Sequence, residues 1–166
     1  MTGQFGQWAS DEKLPIFVIG NGSQYQRSDI FKVFQTGIAE GTNTKPSGDC
    51  SHAEGINTIA SGAYSHAEGI DTIASGNYSH AEGMGTIAAA ESAHVFGKYN
   101  ISDGSSLEIV GTGYSDNHRS NARKLDPGGN EHLKGDIYVG CNADSTGGTK
   151  LARIPDPPTT DGVYTL

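Results

Sequence analysis

The pentapeptide Ser-His-Ala-Glu-Gly occurs three times, beginning at Ser51, Ser65 and Ser79, with a spacing of 14 residues both times. Between the copies, Thr58-Ile59-Ala60-Ser61-Gly62 returns as Thr72-Ile73-Ala74-Ser75-Gly76 in the same register. A fixed period means one structural unit stacked on copies of itself. Fourteen residues are too few for a helix–turn–helix unit. Each repeat carries two glycine punctuators, Gly55 and Gly62 in the first clear copy, with period-two patterning between them. That pattern predicts two short strands and two tight turns per coil, and coils that pair as parallel strands about 4.8 Å apart.

The register runs beyond the obvious copies. Counting back from Ser51 reaches Gly37, where Ala39, Glu40 and Gly41 keep their places, and counting forward reaches Ala93, where His94 and Gly97 keep theirs. The outer units are degenerate, as capping repeats are. On either side lies a shorter module predicted to be a β-hairpin. Val18-Ile19-Gly20 matches Ile109-Val110-Gly111, and Arg27-Ser28 matches Arg119-Ser120. The apolar run Phe17-Val18-Ile19 suits a buried strand, Asn21-Gly22 a turn, and Ile30–Phe34 a second strand. The organisation expected is an N-terminal β module over 1–36, β-roll repeats over 37–101, and a C-terminal β module with a tail over 102–166. A further hairpin loop is expected at Asn142–Ser145, after a strand over 136–139. The duplication of the flanking modules points to a segment of a longer protein built from alternating blocks.

Composition narrows the function classes. The chain holds 24 glycines in 166 residues and a formal net charge of −8. The glycines are too periodic for a linker, and an acidic chain is poorly suited to a nucleic-acid backbone. No apolar run approaches the roughly 20 residues that span a bilayer, so membrane insertion is not expected. Cys50 and Cys141 sit in unrelated contexts and predict no disulfide framework.

Alternation assigns the faces. Ala53 points one way while His52 and Glu54 point the other; Thr58 and Ala60 share a face, with Ile59 opposite. Small residues suit the thin interior of a two-layer coil. Such an interior buries little apolar area, and a single roll gains from oligomerisation.

On these residues the repeat resembles the 14-residue head repeat of the trimeric autotransporter adhesins, the YadA-like heads. Ser51–Gly55 occupies the Ser-Val-Ala-Ile-Gly positions, and Thr58–Gly62 the segment that follows. The His-Ala-Glu version, with Gly97–Ile101 and the Val-Gly-x-Gly module after it, is similar to tail-fibre and minor structural proteins of phages and prophages. The resemblance implies a left-handed parallel β-roll flanked by short β-hairpin modules, with three chains around a threefold axis. It implies a non-enzymatic structural and adhesive segment of a virion fibre or tail, supporting or forming host attachment. The partners implied are two further copies, other virion proteins and a host-surface glycan or protein. Two other classes stay open: the head of a bacterial surface adhesin, and a fragment of a polysaccharide-degrading tailspike.

The departure from the adhesin pattern lies where its apolar residues face the threefold axis. Carrying the geometry over gives an interface of Ile38, Glu40, His52, Glu54, His66, Glu68, His80, Glu82, His94 and Phe96. The reading preferred for the His-x-Glu pairs is hydrogen bonding between chains. A threefold ring of histidines on a transition metal is set behind it, because such a site does not need a carboxylate beside every imidazole. Catalysis is set further behind, since it needs one unique constellation in a cleft rather than a repeated pair. No cofactor, metal or catalytic residue is expected. Arg27 and Arg119 are expected to tie turns to carboxylates or backbone carbonyls.

Overall fold

The computed structural model describes residues 17–20, 29–34, 37–135, 138–139 and 149–150. The described residues are strands, turns and loops with no helix. The Asn21-Gly22 turn, Arg27, the Asn142–Ser145 loop and the closing tail lie outside them.

The repeat block forms two columns of strands. The long strands are β3 (Gly37–Thr42), β5 (Ser51–Ile56), β7 (His66–Ile70), β9 (His80–Ala81) and β11 (His94–Lys98). They pair in parallel in that order, with His52 opposite His66, His66 opposite His80, and His80 opposite His94. The short strands β4 (Lys45–Pro46), β6 (Ile59–Ala60), β8 (Ile73–Ala74) and β10 (Ile87–Ala88) form a second parallel sheet. This is a parallel β-roll.

The interior is as narrow as the alternation requires. Ala53, Ala67 and Ala81 from one sheet meet Ala60, Ala74 and Ala88 from the other, all without solvent exposure. Ser51, Ser65 and Ser79 are buried at the strand starts, where each hydroxyl donates to the carbonyl of Gly48, Gly62 or Gly76 at 2.7 Å. Thr58, Thr72 and Thr86 are buried beside them.

The corners follow from backbone conformation. Asn43, Asn57 and Asp71 occupy the left-handed region at φ of 62°, 57° and 55°. Asn and Asp tolerate that region because their short side chains bond locally. Here the bonds run between coils: Asn43 donates to Asn57, and Asn57 to Asp71, each at 2.9 Å. The opposite corner places Cys50, Tyr64, Tyr78 and Ser92 at φ of 53° to 58°. The rings of Tyr64 and Tyr78 stack there in parallel, 5.3 Å apart.

The stack reaches further than the block at 37–101. β12 (Glu108–Thr112) lies parallel on β11, with His94 opposite Glu108 and Gly97 opposite Gly111. The first strand of the C-terminal module is therefore also a rung of the roll. β13 (Asn121–Leu125) turns back antiparallel on β12, and β14 (Glu131–Leu133) follows it in the sheet. At the other end β2 (Asp29–Val33) caps β3 antiparallel, and β1 (Phe17–Gly20) caps β2. The two hairpins share an irregularity at matching positions, between Ile19 and Gly20 and between Val110 and Gly111.

One expectation fails at β1. Phe17, Val18 and Ile19 form a strand, but it is not buried; Val18 is 41% exposed while its counterpart Ile109 is 1% exposed. The difference is position: β12 is sandwiched between β11 and β13, whereas β1 ends the order of its sheet. Leu133–Leu166 form a second compact unit, in which β15 (Tyr138–Val139) pairs antiparallel with β16 (Thr149–Lys150).

Candidate functional site

All ten residues expected at the interface fall on one face of the long sheet, in two columns. Ile38, His52, His66, His80 and His94 make the first, in direct cross-strand register. Glu40, Glu54 and Glu68 pair in register in the second, which continues through Glu82 to Phe96. The strands position these side chains by simple alternation, with the interior alanines between them.

The imidazoles stack. The His52 and His66 rings are 4.7 Å apart and 6° from parallel, His66 and His80 are 4.7 Å apart at 12°, and His80 and His94 are 5.1 Å apart at 20°. The Phe96 ring closes the row against His94 at 5.3 Å. The spacing is that of parallel strands, so the stack is a direct product of an in-register repeat.

Carboxylates approach the imidazoles from the preceding coil. Glu40 lies 3.4 Å from His52 Nε2, Glu68 3.7 Å from His80 Nε2, and Glu82 3.7 Å from His94 Nε2. None of these contacts is a formed hydrogen bond: the Nε2 atoms of His52, His66, His80 and His94 are shielded from solvent and have no hydrogen-bond partner. Proximity is present and alignment is not. The pairing expected from the sequence is thus not made within one chain.

The protonation chemistry follows from crowding. Burial holds His66 below its ordinary value, and the neighbouring His80 and His52 lower it further. Burial and then His94 lower His80 in the same way. Glu68 is pushed up to about 7 by sharing a hydrogen bond with Glu54, by burial, and by a second bond with Glu82. Both columns therefore disfavour charge in their middle, although His80 Nε2 and a Glu68 oxygen lie 3.7 Å apart. At the histidines, burial and like neighbours outweigh the opposing carboxylates, Glu54 and Glu40 at His66 and Glu82 and Glu54 at His80.

The donor atoms form two overlapping groups: those of His52, Glu54 and His66 lie within 4.8 Å of one another, as do those of His66, Glu68 and His80. An open groove runs beside the glutamates, floored by the glycine column and ended by Phe96. On its far side Ile56, Ile70 and Met84 make an exposed apolar column. That column was not anticipated; carrying the alternation one step past Gly55 would have found it.

Other residues hold the ends of the roll. The Arg119 guanidinium donates to the carbonyls of Gly85 at 2.7 Å and Asn100 at 3.1 Å, and pairs with Asp116. It is a tie for a turn, as expected. Asn100 has no counterpart in the sequence reading. It is wholly buried, its Oδ1 accepts from Ile87 N at 2.8 Å, and its Nδ2 donates to Ile87 O at 3.0 Å. Its amide stands where the next strand of the short-strand sheet would be. Arg123 bridges Glu108 and Glu131 across the C-terminal hairpin, and Lys124 binds Asp103 at 2.6 Å.

Fold and face together define the class: a parallel β-roll that carries a ladder of stacked histidines beside a ladder of carboxylates. Comparison with protein-family models, curated proteins and solved structures finds no match for the chain.

Proposed function

We propose that the chain is a non-enzymatic structural and adhesive segment of a homotrimeric virion fibre or tail protein, supporting or forming a host-attachment tip. The observation that carries this reading is the roll's thin interior. Its middle coils bury alanine, serine and threonine and no larger apolar side chain, while Ile56 stays 46% and Ile70 39% exposed along its flank. Apolar burial scales with area. A roll with so small a core and an apolar column outside it is suited to association with copies of itself. The repeat's likeness to adhesin heads supports three copies, a left-handed roll and the His/Glu face as their common surface. The likeness of the flanking segments to phage fibre proteins supports a virion location.

In this reading the roll is a rigid spacer, and three copies present three equivalent attachment surfaces to a host glycan or protein. Other virion proteins hold its ends. Neither nucleic acid nor membrane insertion has a part. Light scattering on the purified chain tests the central step. The expected mass is three times that of the chain; a monomer at micromolar concentration overturns the reading.

A further inference from the structure

The corner built by Cys50, Tyr64, Tyr78 and Ser92 carries two large rings that its backbone does not need. All four residues hold the left-handed conformation, at φ of 53°, 57°, 58° and 58°. A bulky side chain is uncommon there, and tyrosine lacks the short polar group with which Asn and Asp take it at the other corner. The corner closes the same way with a ring or without one. Tyr64 N donates to Asp49 O at 2.7 Å, and Tyr78 N to Ala63 O and Ser92 N to Asn77 O at 2.8 Å. Stacking of the two rings offsets part of the strain, yet each tyrosine stays 58% exposed. Strained backbone that presents a side chain to solvent is a pointer to function.

The register decides which ring faces are open. The two planes are parallel, with centroids 5.3 Å apart, so each ring gives one face to the other. The outer face of Tyr64 looks toward the coil of Cys50, and that of Tyr78 toward the coil of Ser92. Cys50 and Ser92 each carry one heavy atom beyond Cβ, too little to cover a phenol ring. Each outer face is thus a flat apolar shelf about one coil step deep. A carboxylate stands beside each shelf, Asp49 next to Cys50 and Glu91 next to Ser92, and both are exposed.

A flat apolar face with a carboxylate at its rim selects a ligand. A pyranose whose substituents are all equatorial turns its axial C–H bonds to one side as a flat apolar face, while its hydroxyls point outward around the ring. Laid on a tyrosine, it covers the shelf, and its hydroxyls donate to the neighbouring carboxylate. Asp49 and Glu91 repel an anionic ligand. We propose that Tyr64 and Tyr78, with Asp49 and Glu91, form a binding site for neutral β-linked oligosaccharides of glucose or N-acetylglucosamine. The site rests on the attachment reading above, which places such a glycan on a host surface.

Cellohexaose and chitohexaose are titrated calorimetrically into the full chain under reducing conditions. Hyaluronan hexasaccharide, β-linked and gluco-configured but anionic, is the control, and light scattering follows the mass of the same samples. At least one neutral hexamer is expected to bind saturably, about tenfold or more tighter than the control. The Tyr64→Asn, Tyr78→Asn double variant removes both rings and puts a residue that suits the left-handed region in their place. It is expected to lose affinity by about tenfold or more. Tyr114→Ala, which removes an exposed ring stacked on His118 instead, is expected to leave binding unchanged. If circular dichroism shows that the double variant does not fold, the Asp49→Ala, Glu91→Ala variant, which keeps the rings, is read in its place with the same expectation. Failure of both neutral hexamers to bind, binding no tighter than the control, or binding that persists in the variant read overturns the site. A trimer with any of these results leaves the trimer reading standing. A monomer that binds a neutral hexamer as expected overturns the trimer and leaves the site, and a monomer that binds neither overturns both.

Discussion

A Cβ atom on Gly69 would overlap the backbone carbonyl of Gly83 on the next coil. The two residues are in equivalent places, and the same overlap recurs from Gly55 to Gly69 and from Gly83 to Gly97. Gly69 also sits at φ 106°, a conformation L side chains rarely adopt. Its hydrogen atom is thus what lets one coil close onto the next.

Gly69→Ala is expected to lower stability by more than about 4 kcal/mol, combining backbone strain of about 1–3 kcal/mol with a clash that has only backbone to yield. Gly104→Ala is the control: it has nothing within 4 Å, and surface changes of that kind stay within about 0.5 kcal/mol. Thermal unfolding by circular dichroism separates the two. Equal midpoints for both variants would show that the coils can part without cost.

The buried threonines differ among themselves. Thr86 Oγ1 donates to Glu82 O at 3.0 Å, whereas the hydroxyls of Thr58 and Thr72 have no partner. Replacing an unsatisfied buried hydroxyl by a methyl removes a desolvation cost of about 1–3 kcal/mol. Thr58→Val and Thr72→Val are therefore expected to raise the thermal midpoint, and Thr86→Val to lower it. A uniform loss across all three would mean that the hydroxyls matter equally.

Asn100 replaces a strand with a side chain. Asn100→Ala leaves both the N–H and the carbonyl of Ile87 bare, and a loss of about 2–4 kcal/mol is expected from two unmet groups. Asn100→Asp keeps the acceptor and loses the donor, so it is expected to do no better. Hydrogen exchange at the Ile87 amide gives the local reading; protection unchanged in Asn100→Ala would refute the capping role.

The ladder makes the chain's stability depend on pH through two opposed contributions. His66 and His80 hold protons less well folded than at the ordinary value of 6.5. Their contribution is present above about pH 6.5 and is lost as pH falls through that value. Glu68 has the opposite sign: folded, it keeps its proton to about 7, against 4.5 when free. Its contribution is complete below about pH 4.5 and is lost as pH rises to about 7. Between about pH 4.5 and 7 the two contributions oppose each other, and variants in each column separate them in the thermal midpoints. Glu68→Gln is expected to flatten the alkaline side, and the His66→Gln, His80→Gln pair the acid side. A profile flat from pH 5 to 8 would show that the columns are not crowded in solution.

Much of the roll was legible because a period is a geometric statement. Ser51–Gly83 specified the parallel register, the alanine interior and the common face of His52 and Glu54 without any reference to three dimensions. What escaped depended on single events rather than on the period. Asn100 caps the short-strand sheet through one side chain, and nothing in its spacing marks it. β12 joins the stack although Glu108 and Val110 stand where the repeat has histidine and glutamate, so the pattern faded before the pairing did. β1 read as buried because apolar content signals strand more surely than it signals cover. At the site, the sequence placed histidines beside carboxylates but could not show that their nitrogens point past the carboxylates, since that depends on side-chain torsions.

The in-register contacts also say how such a molecule can change size. In the middle coils each His, Ala, Glu and Gly meets its own kind on the next coil. Removing residues 65–78 would return Ser79 to the place of Ser65 and keep His, Ala, Glu and Gly against their own kind, while Tyr64 would face Ser92 and Asn57 would face Gly85. Length is then a quantity the gene can alter by whole steps, each worth about 4.8 Å of reach, without inventing a new interface. The unrepeated pieces, Asn100 at one end and β2 at the other, set where counting starts and stops.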